Sequence, residues 1–380
     1  MKNLFAIILT VFLAQVAVAA GPQPSQATLY FLHNRWTAEP DGNGELKTSE
    51  GVFGLSALLS TSDRFSFQLD GTLANAKQEF GNLDRKISSL NDTRISGTFY
   101  SAKGLTSLTA YANLPTGKTK LDEEEYSVAS ALTDNSQKFL VRRFGQGLDI
   151  GAEGMVHPSA GNLTFHLGAG YLLKGKFQAR DTDTEKYKFG DEISAKAGLG
   201  YQQDKIAFAL DGGFTMYMKD KISDVEVFQA GAATTIRTSV SYTDRFSLMT
   251  GIGILMRGKG KVQDASAGND LVDEAERSGR NEFLWYGGIG YPVNDKLRVN
   301  GRLEFQNFSA NDYEEDNPVY RPKSSYFGFG GGGSYALTPN FFASGMATFY
   351  TGKVDGPADS AFDADLTGLG IVLALTYRVM

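Results

Sequence analysis

The chain has three histidines, His33, His157 and His166, and no cysteine, so the chemistry open to it is narrow. Structural metal sites draw four Cys/His donors at short spacings, and no such spacing occurs. His166 lies between Thr164 and Gly168 and reads as a satisfied polar residue rather than a general base. The glycine-rich run Phe327 to Gly333 precedes no helix, so it is not a phosphate loop; glycine there lets something approach closely or relieves curvature. What remains is charge. An acidic run, Asp122, Glu123, Glu124 and Glu125, stands in a long polar segment. Single charges recur at alternate positions of otherwise apolar segments: Asp70, Asp149, Glu153, Lys196, Asp211, Arg302 and Glu304 near mid-segment. Arg94, Arg143, Arg237, Arg257 and Glu282 lie towards one end, Arg298 and Arg378 towards the other. Such a set can attract, repel and sort solutes; it has no nucleophile-base pair and no candidate metal ligands.

The elements that carry these charges have a period of two. From Lys205 to Met218 one face reads Ile206, Phe208, Leu210, Gly212, Phe214, Met216, Met218, and the other includes Asp211. From Lys296 to Phe308 the apolar face is Leu297, Val299, Gly301, Leu303 and Phe305, opposed by Arg298, Asn300, Arg302, Glu304 and Gln306. Strands greasy on one side and charged on the other form a wall between lipid and water. Sixteen such segments are predicted: 27–37, 51–61, 64–74, 93–102, 105–114, 144–157, 162–174, 190–202, 205–218, 230–242, 245–257, 281–291, 296–309, 325–337, 341–352 and 367–380. Merging a neighbouring pair, such as the first two, would leave fourteen. Most match the roughly 9–11 residues that a tilted strand needs to cross hydrocarbon.

Connections alternate strictly between short turns and long polar loops, the latter at 38–50, 75–92, 115–143, 175–189, 219–229, 258–280, 310–324 and 353–366. Tyr201, Tyr242, Tyr291 and Tyr335 stand just before short turns, and Phe65, Phe246 and Phe341 just after them, as an interfacial aromatic ring requires. The predicted fold is all-β: a transmembrane, antiparallel, up-and-down β-barrel with short periplasmic turns and long external loops. Residues 1–19 read as a cleaved signal peptide, from Lys2, the apolar run Leu4–Leu13 and the small-residue site Ala17-Val18-Ala19, leaving 20–380 as the barrel. Acids outnumber bases, 43 Asp plus Glu against 37 Lys plus Arg, so nothing points to nucleic acid. Ten prolines among 43 Phe plus Tyr favour strands over disorder.

By this pattern the mature chain resembles the outer-membrane porins. In that class the last strand ends in an aromatic residue; here Tyr377 is the last aromatic and Met380 ends the chain. Leu114-Pro115-Thr116-Gly117-Lys118, with Gly145-Gln146-Gly147-Leu148-Asp149 after it, is similar to strand ends in the outer-membrane fatty-acid and aromatic-hydrocarbon transporters and a related phenol-degradation barrel family. Those transporters carry an N-terminal plug, for which the start of the first strand leaves no room here. The porin resemblance implies that the third loop, 115–143, folds inward, which would set Asp122, Glu123, Glu124 and Glu125 before the solute. It also implies homotrimers, and contact with outer-membrane lipid and lipopolysaccharide.

Sixteen strands enclose enough space for water, and charges of both signs facing one space require it. The expected function is passive diffusion of small polar solutes, without cofactor or metal. Among the mid-strand charges five are acidic and two basic, which points to a mild cation preference. Two other functions compete: selective transport of hydrophobic or aromatic compounds, and a structural or adhesive surface barrel with a blocked lumen.

Overall fold

Alternation along the chain becomes strands whose two faces meet different solvents. The computed structural model describes residues 23–40, 44–133, 137–141, 144–264, 270–356 and 363–379; the proposed signal peptide and Arg143 lie outside the described residues. Sixteen strands form the wall: β1 (Gln26–Pro40), β2 (Leu46–Ser62), β3 (Phe65–Phe80), β4 in two pieces (Leu83–Leu90 and Thr93–Tyr100), β5 (Thr106–Leu114), β6 (Asp149–Val156), β7 (Leu163–Leu173) and β8 (Glu192–Gln203). The second half is β9 (Ile206–Tyr217), β10 (Ala233–Thr243), β11 (Ser247–Arg257), β12 (Glu282–Pro292), β13 (Leu297–Phe308), β14 (Lys323–Thr338), β15 (Phe341–Asp355) and β16 (Ala364–Arg378). Each is antiparallel to its neighbours, and β16 closes on β1 from Gln26 opposite Arg378 to Pro40 opposite Ala364. The protein is a closed, sixteen-stranded, all-β barrel.

Its outer face inverts the rule for soluble proteins. Leu167 is 61% exposed and Leu29, Phe53, Leu108, Phe349 and Leu373 all exceed half, which is stable only against hydrocarbon. Among the described residues no helix is long and apolar enough to cross a membrane; the strands cross instead. Tyr291, Tyr335, Phe246 and Tyr377 are exposed near the short-turn ends, where the aromatic ring was expected.

The structure departs from the sequence reading above the apolar belt. Segments 38–50 and 75–92 were expected to be loops, yet β1 and β3 continue to Pro40 and Phe80, and Leu83–Leu90 returns along β3 as a hairpin. Both faces of this hairpin carry charge (Lys77 and Glu79, Asp84 and Arg85), so no period-two contrast was visible. Further round the ring, short strands between Lys176 and Asp273 join as a six-stranded external sheet.

The third loop contains a helix, α1 (Glu123–Thr133), that packs against Leu83–Leu90 through Arg85 Nη1, which donates to Ser127 Oγ over 2.7 Å. Loop residues bond to Asn34 on β1, Glu50 on β2 and Glu304 on β13. A segment that reaches walls so far apart on the ring lies inside the barrel. There Val128, Leu132, Phe139, Val141 and Phe144 form a core with Leu32, Trp36, Val52, Ala74 and Ile87 from the inner wall. Leu132 is fully buried. Leu132→Ala should therefore cost about 2–5 kcal/mol of loop docking, while the barrel keeps its lipid belt. The expected result is unchanged heat-modifiable migration on gels with faster proteolytic cleavage within the loop; protection equal to the parent protein would contradict the packing.

Candidate functional site

The loop enters and leaves the lumen through a narrow neck, which unites the two short sequences that resembled the hydrocarbon transporters. Beyond Pro115, Thr116 Oγ1 donates to the Asn91 carbonyl (2.7 Å) and accepts from the Thr93 amide (2.9 Å). Asp92, in the break between the two pieces of β4, accepts from Gly117 N (3.0 Å) and Gln146 N (2.7 Å), binding both arms of the loop at once. Gly117 is required by space: a Cβ there would stand 1.9 Å from the Phe144 carbonyl oxygen.

Deeper in, two more wall carboxylates hold the loop. Glu50, with no exposed surface, accepts from the amides of Leu140 (2.8 Å) and Val141 (2.7 Å). Glu304, equally buried, meets Lys138 Nζ at 2.5 Å through one oxygen and Arg302 through the other. Asn34 Nδ2 donates to the Lys138 carbonyl (2.5 Å). Lys138 belongs to the loop; burial drives its pKa down to about 8, against the opposing attraction of Glu304.

The remaining wall carries charge in rows across neighbouring strands. In one, Ser56 donates to Asp70 (2.6 Å), Asp70 stands opposite Arg94, and Arg94 lies 3.9 Å over the Tyr111 ring. Asp149 accepts from Gly175 N at 2.9 Å and lies 3.4 Å from Lys174 Nζ. Lys196 pairs with Glu153 at 2.6 Å. Nearer the short turns, His166 Nε2 reaches Asp211 Oδ1 at 2.9 Å across Gly198, and Asp211 is opposite Arg237 in the ladder. Arg298 bonds Ser247 near one rim. At the other rim Arg257 packs against Gly279 and its amide donates to Asn281 Oδ1 (3.0 Å); Glu282 opens β12 there, opposite Phe308.

Two features of the sequence reading change. Asp122 and Glu125 form a reciprocal cap on α1: Glu125 N donates to Asp122 Oδ1 (2.9 Å) and Asp122 N to Glu125 Oε2 (3.1 Å). Glu125 also pairs with Lys118, while Glu123 and Glu124 are exposed in the first turn, where the helix dipole favours acids. Second, the lumen is not polar throughout, because the loop core covers β1 to β4. Trp36, Glu50, Asp92 and Lys138 were missed. The available signal was β1 itself, apolar on both faces (Leu29 and Phe31 against Leu32 and Trp36), which only a second packing partner explains.

No family model and no curated protein matches the sequence. Solved structures do match. A TodX deletion-mutant monoaromatic hydrocarbon channel aligns at TM-score 0.50 and 11% identity, over 97% of this chain and 94% of that one. A Pseudomonas aeruginosa FadL homologue aligns at TM-score 0.45 and 10% identity, over 94% and 90%. OmpT, an outer membrane protein of Vibrio cholerae, aligns at 0.42 and 11%, over 96% and 99%. The chain has the fold of the outer-membrane β-barrel channels. At these identities the likeness extends to fold alone.

Two outcomes test the anchors. Glu50→Ala leaves two buried amides without an acceptor, a cost of about 1–3 kcal/mol each, so amide exchange at Leu140 and Val141 should accelerate strongly; unchanged protection would rule out the anchor. The pH effect follows from Lys138. Between about 8 and the ordinary 10.5 the docked lysine has lost a proton that an undocked one keeps. Undocked protein then binds more protons, so docking gains as pH rises. The loop should be better protected at pH 10 than at pH 7.5, and the opposite trend would refute the sign.

Proposed function

We propose that this protein is a passive outer-membrane channel for small polar solutes, narrowed by its inward-folded third loop. The observation that carries this is the division of the lumen: loop core over β1 to β4, charged rows over β6 to β10. His166, Asp211, Arg237, Glu153 and Lys196 line, on this reading, the path that solutes take, and water fills it, since charges of both signs are stable there only when paired or hydrated. On this reading Asp70, Arg94, Asp149, Arg302 and Glu304 shape the boundary between loop and path. Permeation involves no bond-making, cofactor or metal, and the surplus of mid-strand acids gives a mild cation preference. The exposed outer belt lies in lipid and lipopolysaccharide, and a homotrimer is one assembly that such a belt permits.

One observation favours a second reading, transport of hydrophobic or aromatic compounds. Leu46, Phe80 and Leu83, with Gln78 and Arg85, line a pocket of about 290 Å³ at the external end of β2 to β4, and apolar walls with a few polar groups suit such ligands.

Single-channel conductance of the refolded protein in a planar bilayer separates the two. Steady ohmic steps, a zero-current potential of cationic sign in a salt gradient, and larger steps after deletion of residues 118–141 are expected. Silence from folded, inserted protein, together with saturable binding of a labelled aromatic, would replace the polar channel with the hydrophobic transporter.

A further inference from the structure

Lys138 ends in an aromatic enclosure. Its Nζ lies 5.8 Å from the Tyr326 ring centroid and 5.9 Å from that of Tyr350, within the roughly 6 Å over which a ring face attracts a cation. Trp36 stacks on Tyr350 at 5.0 Å and meets Tyr326 edge-on at 5.1 Å, and the two tyrosines contact each other at 5.7 Å. Gly328 makes this packing feasible, since a Cβ there would fall 2.7 Å from Tyr350 Cε1 and 2.8 Å from Glu304 Cγ. Arg302 occupies one oxygen of Glu304, leaving the other for the ammonium. Trp36 Nε1 is buried with no acceptor. Two tyrosine rings and one carboxylate around a positive nitrogen, with Trp36 packed against both rings, form a cation receptor, and it is filled by the chain's own loop.

We propose that the enclosure of Trp36, Tyr326, Tyr350 and Glu304 is a binding site for weakly hydrated organic ammonium ions, which displace the Lys138 side chain. The class of ligand follows from dehydration. A primary ammonium is strongly hydrated, and the depressed pKa of Lys138 shows that it gives up more in leaving water than the site returns. A quaternary ammonium loses less water and meets the same rings and carboxylate, the combination by which aromatic enclosures recognise such ions. Lys138 is thus an internal competitor that a better ligand replaces, and its displacement removes one of the ties between loop and wall.

The chain contains two tryptophans, so Trp285→Phe leaves Trp36, in contact with both tyrosine rings, as the sole reporter. The folded protein in detergent is titrated with tetramethylammonium chloride at constant ionic strength, with sodium chloride and the neutral, similarly shaped tert-butanol as controls. A saturable change in Trp36 emission with tetramethylammonium alone is expected. In Lys138→Ala the midpoint should fall by about tenfold or more, because a site no longer occupied by its own chain is more available. Emission that responds equally to all three additives, or a midpoint unmoved by Lys138→Ala in protein that migrates as folded, overturns the proposal. The measurement requires no ion flux, so its failure leaves the channel reading untouched, and a silent bilayer leaves the binding site untouched.

Discussion

Closure of the hydrogen-bonded ladder is the constraint on which everything else rests. Inside hydrocarbon an unpaired amide or carbonyl costs several kcal/mol, and the pairing of β16 with β1 along the full length of both strands removes the last edge. Once the ring closes, the outer positions of every strand are committed to lipid, and specialisation is confined to the inner positions, the loops and the break in β4. That break is where the constraint is locally relaxed. Above Thr93 the ladder to β5 has ended at Leu114, the chain turns inward, and Asn91, Asp92 and Thr93 supply the bonds that the interrupted ladder no longer makes.

The interior follows two logics. Over β6 to β10 it carries charges arranged in opposed pairs. Over β1 to β4 it is a protein core, with Leu32, Trp36 and Val52 as tightly enclosed as in any soluble domain. Buried acids at the border have a donor on each oxygen: Glu50 has two amides, Glu304 has Lys138 and Arg302. Stripping either of its donors would strand a charge in an apolar setting, which costs far more than the pair itself is worth.

How much of this was legible in the sequence depended on whether each signal was local. The wall was, because lipid imposes one unbroken contrast on strands such as Lys296 to Phe308. So was the inward path of the third loop, though through resemblance, and its two flanking sequences were singled out without the reason, which is that they meet at the neck. The cap on α1 was present as Asp122 three residues before Glu125, a helix-start signature, but a run of four acids masked it as a charge cluster. Leu83–Leu90 was hidden because charge stands on both faces of that hairpin, as at Asp84 and Arg85. The Lys138 to Glu304 contact spans 166 residues, and nothing in the spacing of either residue announces the other.

The anchors also differ in kind, and this determines where the loop can be tuned. Glu50 and Asp92 hold backbone amides, so almost any loop side chain is compatible with them, and their strength depends little on salt inside a closed core. The tie at Lys138 depends on one side chain, one buried carboxylate and two rings. Evolution can alter it by one substitution and solution conditions can alter it through one proton, without disturbing the neck. Control of the loop is therefore concentrated at Lys138, while its position in the lumen is fixed by Glu50, Asp92 and the apolar core.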